Sequence, residues 1–198
     1  LADYDNVTII SGDILKLDVP ALVQEHFAGL RPRVCANLPY NITTPVLSAL
    51  LDSGCFESLT VMIQKEVAQR ICAAPGTADY GAFSVYMQFH TAPEILFDVP
   101  PDCFTPQPKV TSAVLHCRVR TEPPVDVADT AFFFQVVRAA FAMRRKTLIN
   151  GLAAAFGSRL SKTELLTLLE NCGFSATVRG ETLGLAEFAR LSNALYSI

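Results

Sequence analysis

A chain of 198 residues that is 51% hydrophobic and 18% charged can bury one or two cores and is too apolar to remain disordered. The longest apolar runs fall short of the roughly 18 residues a membrane span needs, and the start LADYDNVTII lacks a basic, cleavable leader. A soluble cytoplasmic protein with no membrane partner is therefore expected. A net charge of −3 argues against indiscriminate polyanion binding. The six cysteines (Cys35, Cys55, Cys72, Cys103, Cys117, Cys172) form no C-x-x-C pair, so reduced thiols packed as small hydrophobes are expected rather than a metal site.

Along the chain, residues 7–10 (VTII) are rich in β-branched side chains and read as a strand ending at Ser11-Gly12-Asp13. Residues 20–30 form a helix candidate, 33–36 a second strand, 44–51 a helix, 59–63 a third strand and 65–73 another helix. Strands alternating with helices imply parallel β-α-β units covered on both faces. Two further strand candidates, 92–99 and 111–119, flank the proline-rich stretch 100–108. Residues 120–128 read as a linker, because Pro123 and Pro124 interrupt both periodicities. Beyond it the pattern is helical: 130–143 capped by Asp129, 146–156 ending at Gly157, a capping box at Ser161 and Glu164 with a stop at Cys172-Gly173, and a last helix from about 185 towards 198. The expected organisation is an α/β domain over 1–119, a linker at 120–128 and a small all-α domain over 129–198.

Asn37-Leu38-Pro39-Tyr40 follows directly on the strand at 33–36. Ligands of open α/β sheets bind at the carboxyl ends of strands, so this tetrapeptide falls at an active-site edge. An exocyclic adenine amine is a poor nucleophile, since its lone pair is delocalised into the ring. The Asn37 side-chain oxygen and a backbone carbonyl at Leu38 or Pro39 can each accept one amine hydrogen, turning the nitrogen towards tetrahedral geometry. Proline fixes the backbone and contributes no N–H, and Tyr40 offers a π-face to an unstacked base. An ordinary strand-to-helix turn would use Asn and Pro too, though not all four residues together. Phe104 opens FTPQPKV, whose alternating prolines hold the ring. Taken alone it reads as a side chain tucked into the sheet, but beside Asn37 to Tyr40 it can form the opposite wall, with Lys109 meeting a phosphate. Asp13 can accept the amine of a cofactor adenine, beside the N–H of Ile14. Glu66 and Arg70 read as an ordinary i, i+4 pair, and His26, His90 and His116 show no partner pattern.

Between residues 130 and 163 there is no acidic side chain, while Arg138, Arg144, Arg145, Lys146, Arg159 and Lys162 are basic. Such a local field on an acidic body can attract a phosphate backbone selectively, although a solvated helix face would look the same.

Four segments, NLPYNITTPVL, MIQKEVAQRI, FTPQPKVTSAVL and FAMRRKTLINGL, in this order, resemble the ribosomal RNA adenine N6,N6-dimethyltransferase family of the kasugamycin-sensitivity type. The resemblance implies a Rossmann-like methyltransferase domain with a helical C-terminal domain, and S-adenosyl-L-methionine as cofactor. It also implies dimethylation of adjacent adenosines near the 3′ end of small-subunit rRNA, in immature subunits, by a monomer. By motif, Asn37 would touch cofactor and target amine, with Leu38 and Pro39 beside it. Tyr40 and Phe104 would flank the adenine, Asp13 and Ile14 would hold the cofactor adenine, and Lys109 with Arg144, Arg145 and Lys146 would meet RNA. The family's glycine-rich cofactor loop and the strand before it have no counterpart here. The resemblance therefore implies an N-terminally incomplete chain with weak cofactor affinity, in which the 7–10 strand lacks its sheet neighbours. The alternatives are a non-catalytic rRNA-binding assembly factor, a large-subunit rRNA methyltransferase of the erythromycin-resistance type, and an amine methyltransferase acting on DNA or a protein amide.

Overall fold

A computed structural model describes residues 4–143 and 145–198. Helix α1 (Val19–His26) starts where the Asp18 carboxylate accepts the Ala21 N–H at 3.0 Å, which satisfies one of the unpaired donors of the first turn. It ends near Gly29, whose φ of +76° reverses the chain. Then follow β1 (Arg33–Asn37), α2 (Thr43–Asp52), β2 (Ser58–Gln64), α3 (Lys65–Cys72), α4 (Ala82–His90), β3 (Thr91–Val99) and β4 (Ser112–Val119).

The sheet runs β1-β2-β4-β3. Only β1 and β2 are parallel; β4 pairs antiparallel with both β2 and β3. The expectation of parallel units thus holds for the first half alone. The connection from β3 to β4 contains no crossover helix, so the chain returns in the opposite direction. The registers Leu59↔Cys117, Val61↔Leu115 and Ile63↔Ala113 put six side chains, none more than 1% exposed, on one face. Val46, Leu47 and Leu50 of α2, with Ala68 and Ile71 of α3, complete that core. The opposite face carries Thr60, Met62 and His116, half-buried, and Arg33, Cys35 and Arg118, exposed.

Residues 7–10 are not a strand. Strand propensity alone does not hold an extended segment; a ladder partner does, and among the described residues none pairs with it. Ile9 accordingly stands 76% exposed. Asp13 therefore sits not at a strand end but in a turn, where its side chain accepts the Leu15 N–H at 3.1 Å and its carbonyl accepts the Lys16 N–H at 2.8 Å.

Residues 120–128 have no regular structure, and Asn193 pins them, donating to the Asp126 carbonyl and accepting the Ala128 N–H. The helical part comprises α5 (Thr130–Ala142), α6 (Leu148–Phe156), α7 (Lys162–Asn171) and α8 (Leu185–Tyr196). Asp129 caps α5 through the Phe132 N–H at 2.6 Å, and the Ser161–Glu164 capping box opens α7. Gly173, at φ +77°, follows α7. Among the described residues no helix is long and apolar enough to cross a membrane. Of the cysteines, Cys117 and Cys172 are packed inside, whereas Cys35 and Cys103 are exposed.

Helix α4, absent from the sequence expectations, is the bridge between two apolar cores. Met87 packs in the sheet core, while Val85 and Phe89 belong to the helical core, where Phe89 stacks on Phe133 at 5.0 Å. The Tyr80 hydroxyl donates to the Leu183 carbonyl at 2.9 Å just ahead of α4, and burial pushes this phenol up to about 12. At the other end of α4, His90 stacks on Phe134 at 5.5 Å. Burial pushes the His90 imidazole below its ordinary 6.5, with the Asp52 carboxylate opposing in part. The native state then binds fewer protons than the unfolded chain just below that value, so this contribution to stability is present above about pH 6.5 and is lost as pH falls. The thermal midpoint is expected to drop between about pH 7 and 5.5, and less so in His90→Phe; equal drops in both proteins would exclude His90 as the cause.

Candidate active site

The carboxyl ends of β1 and β2 form the working edge. Past the end of β1 the Leu38 N–H still reaches the Met62 carbonyl at 3.1 Å, and the Leu38 side chain is 7% exposed. That anchor leaves Asn37 projecting outward on one side and Pro39 exposed on the other. Pro39 (φ −58°, ψ 133°) turns the chain into the short 3₁₀ turn Tyr40–Ile42. Its carbonyl is doubly engaged, by the Ile42 N–H and by the buried Thr43 hydroxyl, each at 3.2 Å. The Tyr40 hydroxyl lies 2.7 Å from the Ser112 Oγ at the start of β4.

Phe104, half-buried, follows the turn Pro101–Cys103 and donates its N–H to the Pro101 carbonyl at 3.2 Å. Asn37, Leu38, Pro39, Tyr40, Phe104, Pro106 and Pro108 line one cavity of about 270 Å³. Two aromatic residues and an amide separated by 67 positions in the chain thus share one slot, as the motifs led one to expect. The lining carries no charged side chain. It is polar only through an amide, a phenol and main-chain oxygens, and such an acceptor-rich corner suits both an amine donor and the positively charged sulfonium of S-adenosyl-L-methionine.

The other expected site residues lie elsewhere. Asp13 is exposed, with one carboxylate oxygen 3.5 Å from the Lys16 Nζ; Ile14 is half-buried against the sheet core. Neither lines the slot. Lys109 is exposed on the loop leading to β4. Arg145 and Lys146 are exposed between α5 and α6, while Arg144 lies outside the described residues. Glu66 and Arg70 form the expected ordinary pair at 3.1 Å. Sequence reasoning assigned no role to Thr43 or Ser112, although both stand inside the quoted motifs and both hydroxyls bond to the Pro39–Tyr40 side of the slot.

Two solved structures share this architecture. The crystal structure of a dimethyladenosine transferase from Plasmodium falciparum superposes with a TM-score of 0.79 at 22% identity, over 96% of this chain and 72% of that one. The 23S rRNA methyltransferase ErmE gives 0.62 at 22% identity, over 94% and 71%. The fold, a Rossmann-like sheet flanked by helices, is the one these two proteins share.

The family model described as ribosomal RNA adenine dimethylase matches residues 1–186. Ribosomal RNA small subunit methyltransferase A of Caldanaerobacter subterraneus subsp. tengcongensis is 49% identical over 193 residues, covering 98% of this chain and 71% of that protein. The protein of the same name from Geobacillus thermodenitrificans is 48% identical over 198 residues, covering 98% and 68%. The chain belongs to the ribosomal RNA adenine dimethylase family.

Proposed function

We propose that the chain carries the N6,N6-dimethylation of adjacent adenosines near the 3′ end of small-subunit rRNA, acting on immature subunits in the cytoplasm as a monomer. The observation that supports this most is the uncharged slot in which Asn37, Leu38, Tyr40 and Phe104 meet at the carboxyl edge of the sheet. The names of the curated relatives favour the small-subunit substrate over the large-subunit one.

In this reading residues 1–119 are the catalytic domain, 120–128 the linker and 129–198 the RNA-binding domain. Asp13 and the Ile14 N–H hold the cofactor adenine, and Asn37 touches the cofactor at the other end. When bound, S-adenosyl-L-methionine supplies an electrophilic methyl group. The target adenine leaves its stack and enters between Tyr40 and Phe104. The Asn37 side-chain oxygen accepts one hydrogen of the N6 amine. The second acceptor is the Leu38 carbonyl, because the Pro39 carbonyl already receives two hydrogen bonds. Two acceptors on one amine concentrate its lone pair and aim it, which is catalysis by position and electrostatics. As the N–C bond forms the sulfur–methyl bond breaks, leaving a neutral thioether, and the methylated nitrogen releases one proton to solvent. A single N–H remains, and either oxygen can hold it for a second round.

The test is methyl transfer to small-subunit particles that lack the modification, with the product nucleoside identified by mass. Dimethyladenosine in the small-subunit rRNA is expected; methylation confined to large-subunit rRNA, to DNA or to protein would overturn the assignment. Lys109, Arg144, Arg145 and Lys146 are proposed phosphate contacts. Arg145→Ala is expected to make the slope of log affinity against log salt less negative by about 0.7–0.9. An unaltered slope would remove Arg145 from the RNA interface.

A further inference from the structure

We propose that Ser112 is a positioning residue for methyl transfer: through the 2.7 Å hydrogen bond between its Oγ and the Tyr40 hydroxyl it fixes the plane of the ring that walls the adenine slot. This rests on the reading of Tyr40 as a wall for the target base.

Tyr40 is not held by a strand. It begins a three-residue 3₁₀ turn and is only half-buried, so packing alone leaves its ring free to swing about its side-chain torsions. A bond at the phenol oxygen adds a second fixed point at the far end of the ring. With the backbone tethered at one end and the hydroxyl at the other, the long axis of the ring is fixed. The preference of a phenolic hydrogen bond for the ring plane resists rotation about that axis while the face stays available for stacking. Stacking on a base depends on that plane, and so does the direction in which the amine points at the acceptors.

Ser112 is suited to be the fixed point. It is 0% exposed and registered in the sheet on both sides, opposite Gln64 of β2 and Val99 of β3. The residue before it is fastened as well, since the Thr111 carbonyl accepts the Lys65 N–H at 3.0 Å. Phe104, the other wall, stands on the loop that runs directly into this strand start. Both walls are thereby referenced to the first residue of β4, one by covalent continuity and one by a hydrogen bond. A serine serves here because it brings a hydroxyl to a fully buried site with little bulk.

The experiment compares Ser112→Ala, Tyr40→Phe, the double variant and Tyr40→Ala in methyl transfer to small-subunit particles, with turnover normalised to folded protein by circular dichroism. Ser112→Ala and Tyr40→Phe are each expected to lower kcat about five- to tenfold with KM for the particle unchanged, and the double variant to fall no further than either single one. A double variant whose loss is the product of the two single losses overturns the proposal, as does loss in Ser112→Ala with none in Tyr40→Phe. If Tyr40→Ala is impaired while Tyr40→Phe and Ser112→Ala turn over like the parent, the positioning role fails and the wall survives. Wild-type turnover in Tyr40→Ala would overturn the wall itself.

Discussion

Asn37→Ala is expected to lower kcat for methyl transfer by on the order of 10²–10³-fold while leaving affinity for the small-subunit particle nearly unchanged. The size follows from what the side chain does in the proposed step. Its oxygen holds an amine hydrogen most strongly as the nitrogen becomes tetrahedral, so the interaction belongs to the transition state and not to the docked ground state. In the proposed reading RNA affinity resides mainly in phosphate contacts elsewhere, so binding should survive the change. Asn37→Gln is the sharper control. It keeps the amide but displaces it by one methylene, and misplacement on the order of 1 Å is enough to cost about 10²-fold. Unchanged turnover in Asn37→Ala would remove Asn37 from the chemistry; a raised KM at constant kcat would recast it as a docking contact.

Gly151→Ala is expected to destabilise the protein by about 3 kcal/mol, against the usual sign for a helix. In an open helix the same change would gain about 1 kcal/mol from backbone entropy. Gly151 lies inside α6, where an added Cβ would stand 2.1 Å from the Ala139 carbonyl oxygen of α5. That oxygen is backbone, so relief requires the two helices to part. Gly180 makes the same demand on the next residue, its Cβ position lying 2.7 Å from the Ala140 oxygen. With about 2–4 °C lost per kcal/mol for a chain of this size, the thermal midpoint of Gly151→Ala should fall by about 6–12 °C. An unchanged or raised midpoint would show that α5 and α6 do not need this close approach.

The grouping of the slot residues was legible because each contributing motif is local. Asn37 to Tyr40 are contiguous at a strand end, and Phe104 sits in a stretch whose prolines mark it. The caps at Asp129 and Ser161 were legible for the same reason, each being decided within one helical turn. Two elements were not. Residues 7–10 have the side chains of a strand, but a strand is a relation between segments, and composition does not report its neighbour. Helix α4 was hidden for the opposite reason. Its sequence, AFSVYMQFH, meets an apolar core on either side, so the polar face that gives a surface helix its rhythm is missing. Its start is also inconspicuous, because Ser84 reaches back to accept the Gly81 N–H at 3.0 Å where a side chain ahead of the helix would ordinarily serve. Ser112 reads in the sequence as the punctuation that opens a strand; only the fold brings it under Tyr40.

Because α4 is gripped from both sides, the helical half cannot pivot on the sheet without pulling Phe89 off Phe133 or Met87 out from the strands. The span from the basic turn at Arg145 and Lys146 to the slot at Asn37 is therefore a built-in length. In the proposed reading, with that basic turn on RNA phosphates, adenosines are selected as a ruler selects, by their distance from a gripped stretch of backbone, with little demand on the sequence between.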